Sequence, residues 1–165
     1  MTTTTDTLEA AYRRHADELI RYATTMVGPD EASDVVTDAM VGVFADRDML
    51  LDPERELGAI DNLRAYLFRA VHHRIVDLTR SQTRRRRREE VYARRWATTT
   101  RPTDPSIDAR AALAELSEQQ RAVTFLTYWS DLTPADIAIT LDVSEGSVRK
   151  QLARARARLR EVLDA

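Results

Sequence analysis

The sequence predicts an all-α fold of two small helical domains joined by a flexible linker. Three observations carry that prediction. Glycine and proline are scarce, 4 and 5 in 165 residues, which favours helices over turn-rich β structure. Apolar residues recur at three- and four-residue spacing through most of the chain, the period of one helix face. One stretch, 97–108 (ATTTRPTDPSID), breaks that period with two prolines and four threonines; X-Pro steps keep such a segment extended. The expected domains are therefore 6–96 and 109–165, with 97–108 as the linker.

The first helix is expected over Leu8–Val27, where Leu8, Ala11, Tyr12, His15, Leu19, Tyr22, Ala23 and Met26 share a face. Gly28-Pro29 stops it. A second spans Asp30–Ala45, with Ala32, Val35, Val36, Ala39, Met40 and Val43 as its apolar stripe and Glu31, Asp34 and Asp38 on the other face. Leu51–Asn62 reads as a loop. Leu63–Arg80 is a third helix that runs into the arginines Arg84–Arg88 and frays toward Trp96. Beyond the linker come a short helix at Ala109–Leu116, another at Ser117–Trp129 capped by Ser117, and a third at Thr133–Leu141. Thr133 caps this last one, Pro134 suits its first turn, and Asp136 sits three residues on, a relative of the capping box. After a turn at Asp142-Val143, Ser144 caps a final helix to about Leu163.

Charge is distributed in blocks. The net charge of −2 hides −9 over residues 1–61, +9 over 62–101, −6 over 102–148 and +4 over 149–165. Of 25 basic residues all but Lys150 are arginine, the better ligand for phosphates and base edges. Two basic zones between acidic ones suggest two contacts with a polyanion and acidic surfaces for something else; solvated helix faces are the plainer alternative.

Several function classes are excluded. Cysteine is absent, so there are no disulfides, thiolate metal sites or cysteine nucleophiles. No apolar run approaches a membrane span, and Met1–Ala11 has no basic flank or apolar core of a signal peptide; a cytoplasmic protein is expected. His15, His72 and His73 have no metal-ligand spacing. His15 reads as structural. No phosphate loop, nucleophile motif or carboxylate dyad appears. Neither an enzyme nor a cofactor or metal is expected.

The most informative segment is the last. Thr133–Leu141, a tight turn and Ser144–Leu163 have the shape of a helix-turn-helix. Val148, Leu152, Ala155, Leu159 and Val162 should face the core. Lys150, Arg154 and Arg158 form one basic stripe; Arg149, Arg156 and Arg160 form another. Ser144, Glu145, Gly146 and Ser147 make the N-terminus that would meet base edges. A plain amphipathic helix with solvated arginines gives the same periodicity.

At these residues a family resemblance emerges. ALAELSEQQRAVTFLTYWSDLTPADIAITLDVSEGSVRKQLARARARLREVL resembles domain 4 of the extracytoplasmic-function (ECF) sigma factors of bacterial RNA polymerase. AYRRHADELIRYATTMVGPDEASDVVTDAMVGVF and NLRAYLFRAVHHRIVDLTRSQTRRRR resemble regions 2.1–2.2 and 2.3–2.4, in the family's order and spacing. There are departures. Thr37, Met40, Phe44 and Tyr66 replace the usual Gln, aromatic, Trp and Trp. His72-His73 stands where the pattern has Arg-Asn, and Asp131 and Asp142 stand where it has glycines. Asp tolerates left-handed geometry, so the turn at Asp142 should survive.

The resemblance implies an alternative sigma factor that binds core polymerase through the β′ clamp helices and β flap, reads promoter DNA and helps open the −10 region. It implies Glu31, Asp34, Val35 and Asp38 as polymerase contacts, although Val35 and Met40 at such positions are more often core. It implies Asp61 and Asn62 as −10 base contacts and Arg64, Arg69, Arg74, Arg80 and Arg84 as −10 phosphate contacts. Tyr66 and Phe68 read more naturally as core than as stacking aromatics. For the −35 element it implies Ser144, Ser147, Arg149, Lys150, Arg154 and Arg156. An anti-sigma factor wedged between the two modules is left open as a partner. Two other readings also stay open: a stand-alone helix-turn-helix regulator, which would not need the basic 63–88 stretch, and an inactive protein that titrates an anti-sigma factor.

Overall fold

The computed structural model describes residues 4–45, 63–89 and 111–163, which are helices joined by short turns, with no strand among them. The helices are α1 Thr4–Val27, α2 Pro29–Ala45, α3 Leu63–Glu89, α4 Glu118–Tyr128, α5 Pro134–Leu141 and α6 Glu145–Leu163, with a further helical turn at 111–114. Helix α1 begins at Thr4, four residues before the first apolar residue of the expected pattern. The expected loop at 51–62, the extension toward Trp96 and the linker 97–108 lie outside the described residues.

Local chemistry sets the helix ends. Gly28 sits at φ +92, a conformation that costs glycine little, and its N–H closes α1 on Thr24 O at 2.9 Å. Pro29 then opens α2, where a missing N–H is no loss. Ser117 and Gln120 form a reciprocal capping box on α4. Thr133 Oγ1 accepts from the Asp136 N–H at 3.1 Å and starts α5. Ser144 Oγ accepts from the Ser147 N–H at 3.1 Å and starts α6. Asp142 ends α5 in the left-handed region, at φ 55 and ψ 49, and Asp131 is left-handed as well. Both are places where the family pattern has glycine.

Helices α1, α2 and α3 bury Leu19, Ala23, Val36, Ala39, Val43, Leu67, Val71 and Ile75 between them. Helices α4, α5 and α6 bury Val123, Leu126, Ile137, Ala138 and Val148. The two cores are continuous. Tyr22 meets Phe68 edge-on at 5.5 Å between centroids and Phe125 of α4 at 5.4 Å. Thr140 of α5 donates to the Ala65 carbonyl of α3 at 3.4 Å. The sequence reading treated the modules separately; in the fold, α3 lies directly against α5, and α1 against α4. A satellite cluster of Leu113, Leu116 and Ala155, with Leu159, holds 111–116 on α6. Arg121 caps that segment, donating to the carbonyls of Leu113, Ala114 and Leu116.

Candidate nucleic-acid interface

Helices α5 and α6 form a helix-turn-helix whose second helix is rigidly seated. Val148 and Ala155 are buried, and Leu152, Leu159 and Val162 are half-buried, as the apolar stripe predicts. Gln151 donates to Gln119 at 3.0 Å and fixes the rotation of α6 against α4. At about 100° per residue, Gly146, Lys150, Ala153 and Ala157 fall opposite that stripe, and all four are exposed. Three of these four are Gly or Ala, so little stands between this side and an approaching surface. Exposed arginines flank the smooth strip, Arg149, Arg156 and Arg160 on one side and Arg154 on the other. A helix entering a major groove needs this layout, a thin leading edge with cations toward both phosphate walls.

Individual side chains are differently committed. Lys150 and Arg154 make no ion pair among the described residues. Arg149 lies 3.5 Å from Glu145 one turn back, an exposed pair worth little. Arg156 donates through Nε to the Tyr128 hydroxyl at 2.6 Å and lies over that ring, 5.7 Å from its centroid. The guanidinium is thereby held at the α6 surface. Arg158, which the sequence places in a basic stripe with Lys150 and Arg154, bonds Glu115 and Glu161 instead. Ser144 spends its oxygen on the cap; Ser147 is half-buried behind it.

The −10 residues divide in the same way. Arg64, expected on phosphate, is clamped by both oxygens of Glu18, with Nε at 3.0 Å from Oε2. It also lies over the Phe68 ring. Its partners come from α1 and the core, so its first role is to join α1 to α3. Arg74 bonds Asp38 at 2.6 Å. One expected DNA contact thus pairs with one expected polymerase contact across α2 and α3. Arg69, Arg80 and Arg84 make no ion pair among the described residues. Phe68 is fully buried and Tyr66 half-buried. Asp61 and Asn62 lie outside the described residues.

On α2, Val35 is 4% exposed. It is a core residue facing α1 and α3, a correction to its assignment as a polymerase contact. Met40 is core too. Glu31 accepts from Gln82 of α3 at 2.9 Å. Asp34 is exposed and without an ion pair among the described residues. The sequence reading missed Val41. It is 63% exposed, one helical turn beyond Asp38 and two beyond Asp34. The signal was there, because position 41 falls outside the apolar stripe 32, 35, 36, 39, 40, 43.

The described residues contain no group of three or more His, Asp or Glu able to hold a metal, and no described helix is long and apolar enough to cross a membrane. Burial and the nearby Arg64 hold the His15 pKa below the ordinary imidazole value. Burial pushes the Tyr22 hydroxyl up and lowers His72 to about 4.

Two family descriptions match the chain in order: Sigma-70 region 2 over residues 11–85 and Sigma-70, region 4 over residues 106–159. The chain is 30% identical over 153 residues to the ECF RNA polymerase sigma factor SigL of Mycobacterium tuberculosis, covering 88% of this chain and 82% of SigL. It is 31% identical to the RNA polymerase sigma-E factor of Streptomyces avermitilis, covering 95% and 85%. Its fold matches the sigma factor RpoE of Bartonella quintana, solved with the anti-sigma factor NepR, at a TM-score of 0.75 and 21% identity over 95% and 96% of the two chains. The two matched regions define a sigma factor of the sigma-70 type, a class that binds core RNA polymerase and promoter DNA. Within that class the chain belongs to the ECF family, the alternative sigma factors that direct polymerase to particular promoters. Nothing in these matches favours a stand-alone regulator.

Proposed function

We propose that the chain divides promoter reading between its two domains, 6–96 and 109–165, and catalyses no reaction itself. The observation that carries this is the outer side of α6, where Gly146, Lys150, Ala153 and Ala157 form a slim exposed edge between flanking arginines. In this reading α6 enters the −35 major groove. Ser147, Arg149 and Lys150 meet base edges, Arg154 and Arg156 meet phosphates, and the Ser144 hydroxyl stays available as a donor. Arg69, Arg80 and Arg84 of α3 meet phosphates near the −10 element, and Asp61 and Asn62 take its displaced base. Arg74 joins them by exchanging Asp38 for a phosphate. Arg64 stays on Glu18.

The polymerase-facing surface is the exposed side of α2, Asp34, Asp38 and Val41, docking on the β′ clamp helices. Glu31 borders it, held by Gln82. Domain 4 meets the β flap. The protein works in the cytoplasm, and an anti-sigma factor is a fitting partner, since the Bartonella quintana sigma factor of the same fold was solved with one.

The test is transcription from a −35-dependent promoter with Lys150→Ala and Arg154→Ala. Loss of a base contact costs about 1–3 kcal/mol, roughly 5- to 150-fold, and loss of a phosphate contact flattens the salt slope by about 0.9. Unchanged promoter output from both variants would remove α6 as the reading helix.

A further inference from the structure

We propose that His72 makes the contact between α3 and the α4–α5 pair a proton-sensitive latch, closed at neutral pH and parting in mild acid. Among the described residues, His72 is the ionisable side chain of α3 buried at the seam between the two helical groups, 9% exposed. Its Nδ1 shares a hydrogen bond of 2.8 Å with the Tyr22 hydroxyl, and Tyr22 is the ring that also meets Phe68 and Phe125. Residues from across the seam face it over two open clefts. Leu141 of α5 and Glu118 and Gln119 of α4 line one cavity of about 600 Å³ with His72, and Leu141 and Asp142 line a second of about 430 Å³. Parting the seam removes those walls and gives the imidazole to water.

A proton on His72 is poorly accommodated while the seam is closed. Tyr22 can accept one hydrogen bond from the imidazolium, but with only 9% of His72 exposed little water reaches the ring to solvate the charge. Charged groups of both signs face it from both sides of the seam. Glu118 of α4, Asp142 at the end of α5 and Asp77 of α3 favour the cation; Arg80, Arg84 and His73 of α3 disfavour it. Burial therefore decides, and it holds the group at about 4. Exposed in the open form, His72 returns to the ordinary value near 6.5. The open form then binds the proton more tightly. Closure keeps its full strength above pH 6.5 and loses it as pH falls from 6.5 toward 4. Between pH 7.5 and 5.5 the closing equilibrium weakens about tenfold. His72 also stands where the family pattern has Arg, a permanent cation that does not titrate in this range. Its consequence for promoter reading, that α3 and α6 reach separate elements only when the seam parts, rests on the function proposed above; the opening itself does not.

The absence of cysteine makes the test direct. Cysteines introduced by Thr37→Cys on α2 and Ala157→Cys on α6, both exposed positions, carry a donor–acceptor dye pair in the full chain. Energy transfer is followed from pH 7.5 to 5.0, with helix content monitored by circular dichroism. The expected result is a lengthening distance with an approximately tenfold shift in the open-to-closed ratio by pH 5.5. His72→Gln, which keeps a partner for Tyr22 without titrating, stays closed throughout. His72→Arg is open at pH 7.5. A constant distance with intact helix content overturns the proposal. So does His72→Gln opening along the wild-type profile. If acid melts the helices, His72→Arg at pH 7.5 decides: open with native helix content supports the latch, closed refutes it.

Discussion

Replacing Arg64 by alanine separates a structural arginine from a DNA-binding one. Arg64 and Glu18 are 24% and 19% exposed, enclosed enough that solvent screens the pair only in part. A hydrogen bond between charged groups is worth about 1.5–3 kcal/mol, and the guanidinium over Phe68 adds about 0.5–1 kcal/mol. Arg64→Ala also leaves the Glu18 carboxylate half-buried without its clamp. Together these place the loss of stability at about 2–4 kcal/mol. Urea denaturation of the full chain, followed by far-UV circular dichroism, reads it. A double-mutant cycle with Glu18→Ala should return a coupling of about 1–2 kcal/mol. His15 gives an independent readout. Burial and then Arg64 hold its pKa down, so Arg64→Ala should raise it in an NMR titration. A lowered folded-state pKa costs stability as pH falls through the ordinary value near 6.5, so the variant should lose less additional stability than wild type below that point. The reasoning is refuted if Arg64→Ala unfolds within about 0.5 kcal/mol of wild type while its DNA binding falls; Arg64 would then be the phosphate ligand the sequence suggested.

Three further outcomes follow from the same geometry. Asp142→Gly should raise stability by about 0.5 kcal/mol in urea denaturation, because glycine occupies φ 55 with less strain. Thr133→Ala should cost about 1 kcal/mol by removing the α5 cap, with Thr133→Ser restoring most of it. Val41→Asp should weaken binding to core polymerase in a pull-down or fluorescence titration while leaving the unfolding midpoint unchanged, since Val41 is 63% exposed.

What the sequence made legible was mostly local. The caps at Ser117, Thr133 and Ser144, the left-handed turn at Asp142 and the apolar stripes of α2 and α6 each depend on residues within a turn or two, where spacing is sufficient information. What stayed hidden depends on distant partners. Arg64 finds Glu18 across 46 positions and Arg74 finds Asp38 across 36. No local pattern distinguishes such arginines from Arg69 or Arg80. Val35 and Val41 differ in which side of α2 they occupy, and the resemblance named as a surface contact the one that the fold buries. The seam was the least legible. Tyr22 and Phe68 read as core of the first domain alone, and only the fold places them in one continuous cluster with Phe125 and Leu141.

The central claim, that this chain is a promoter-specificity factor of polymerase, is tested most directly by reconstitution. The purified protein is mixed with sigma-free bacterial core polymerase, the complex is isolated, and the 5′ ends of transcripts made from genomic DNA are sequenced. The account predicts a stable complex and start sites that share one −35/−10 pair, with Lys150→Ala selectively depleting starts that depend on the −35 element. Specific DNA binding by the protein alone, with no polymerase complex, would contradict it.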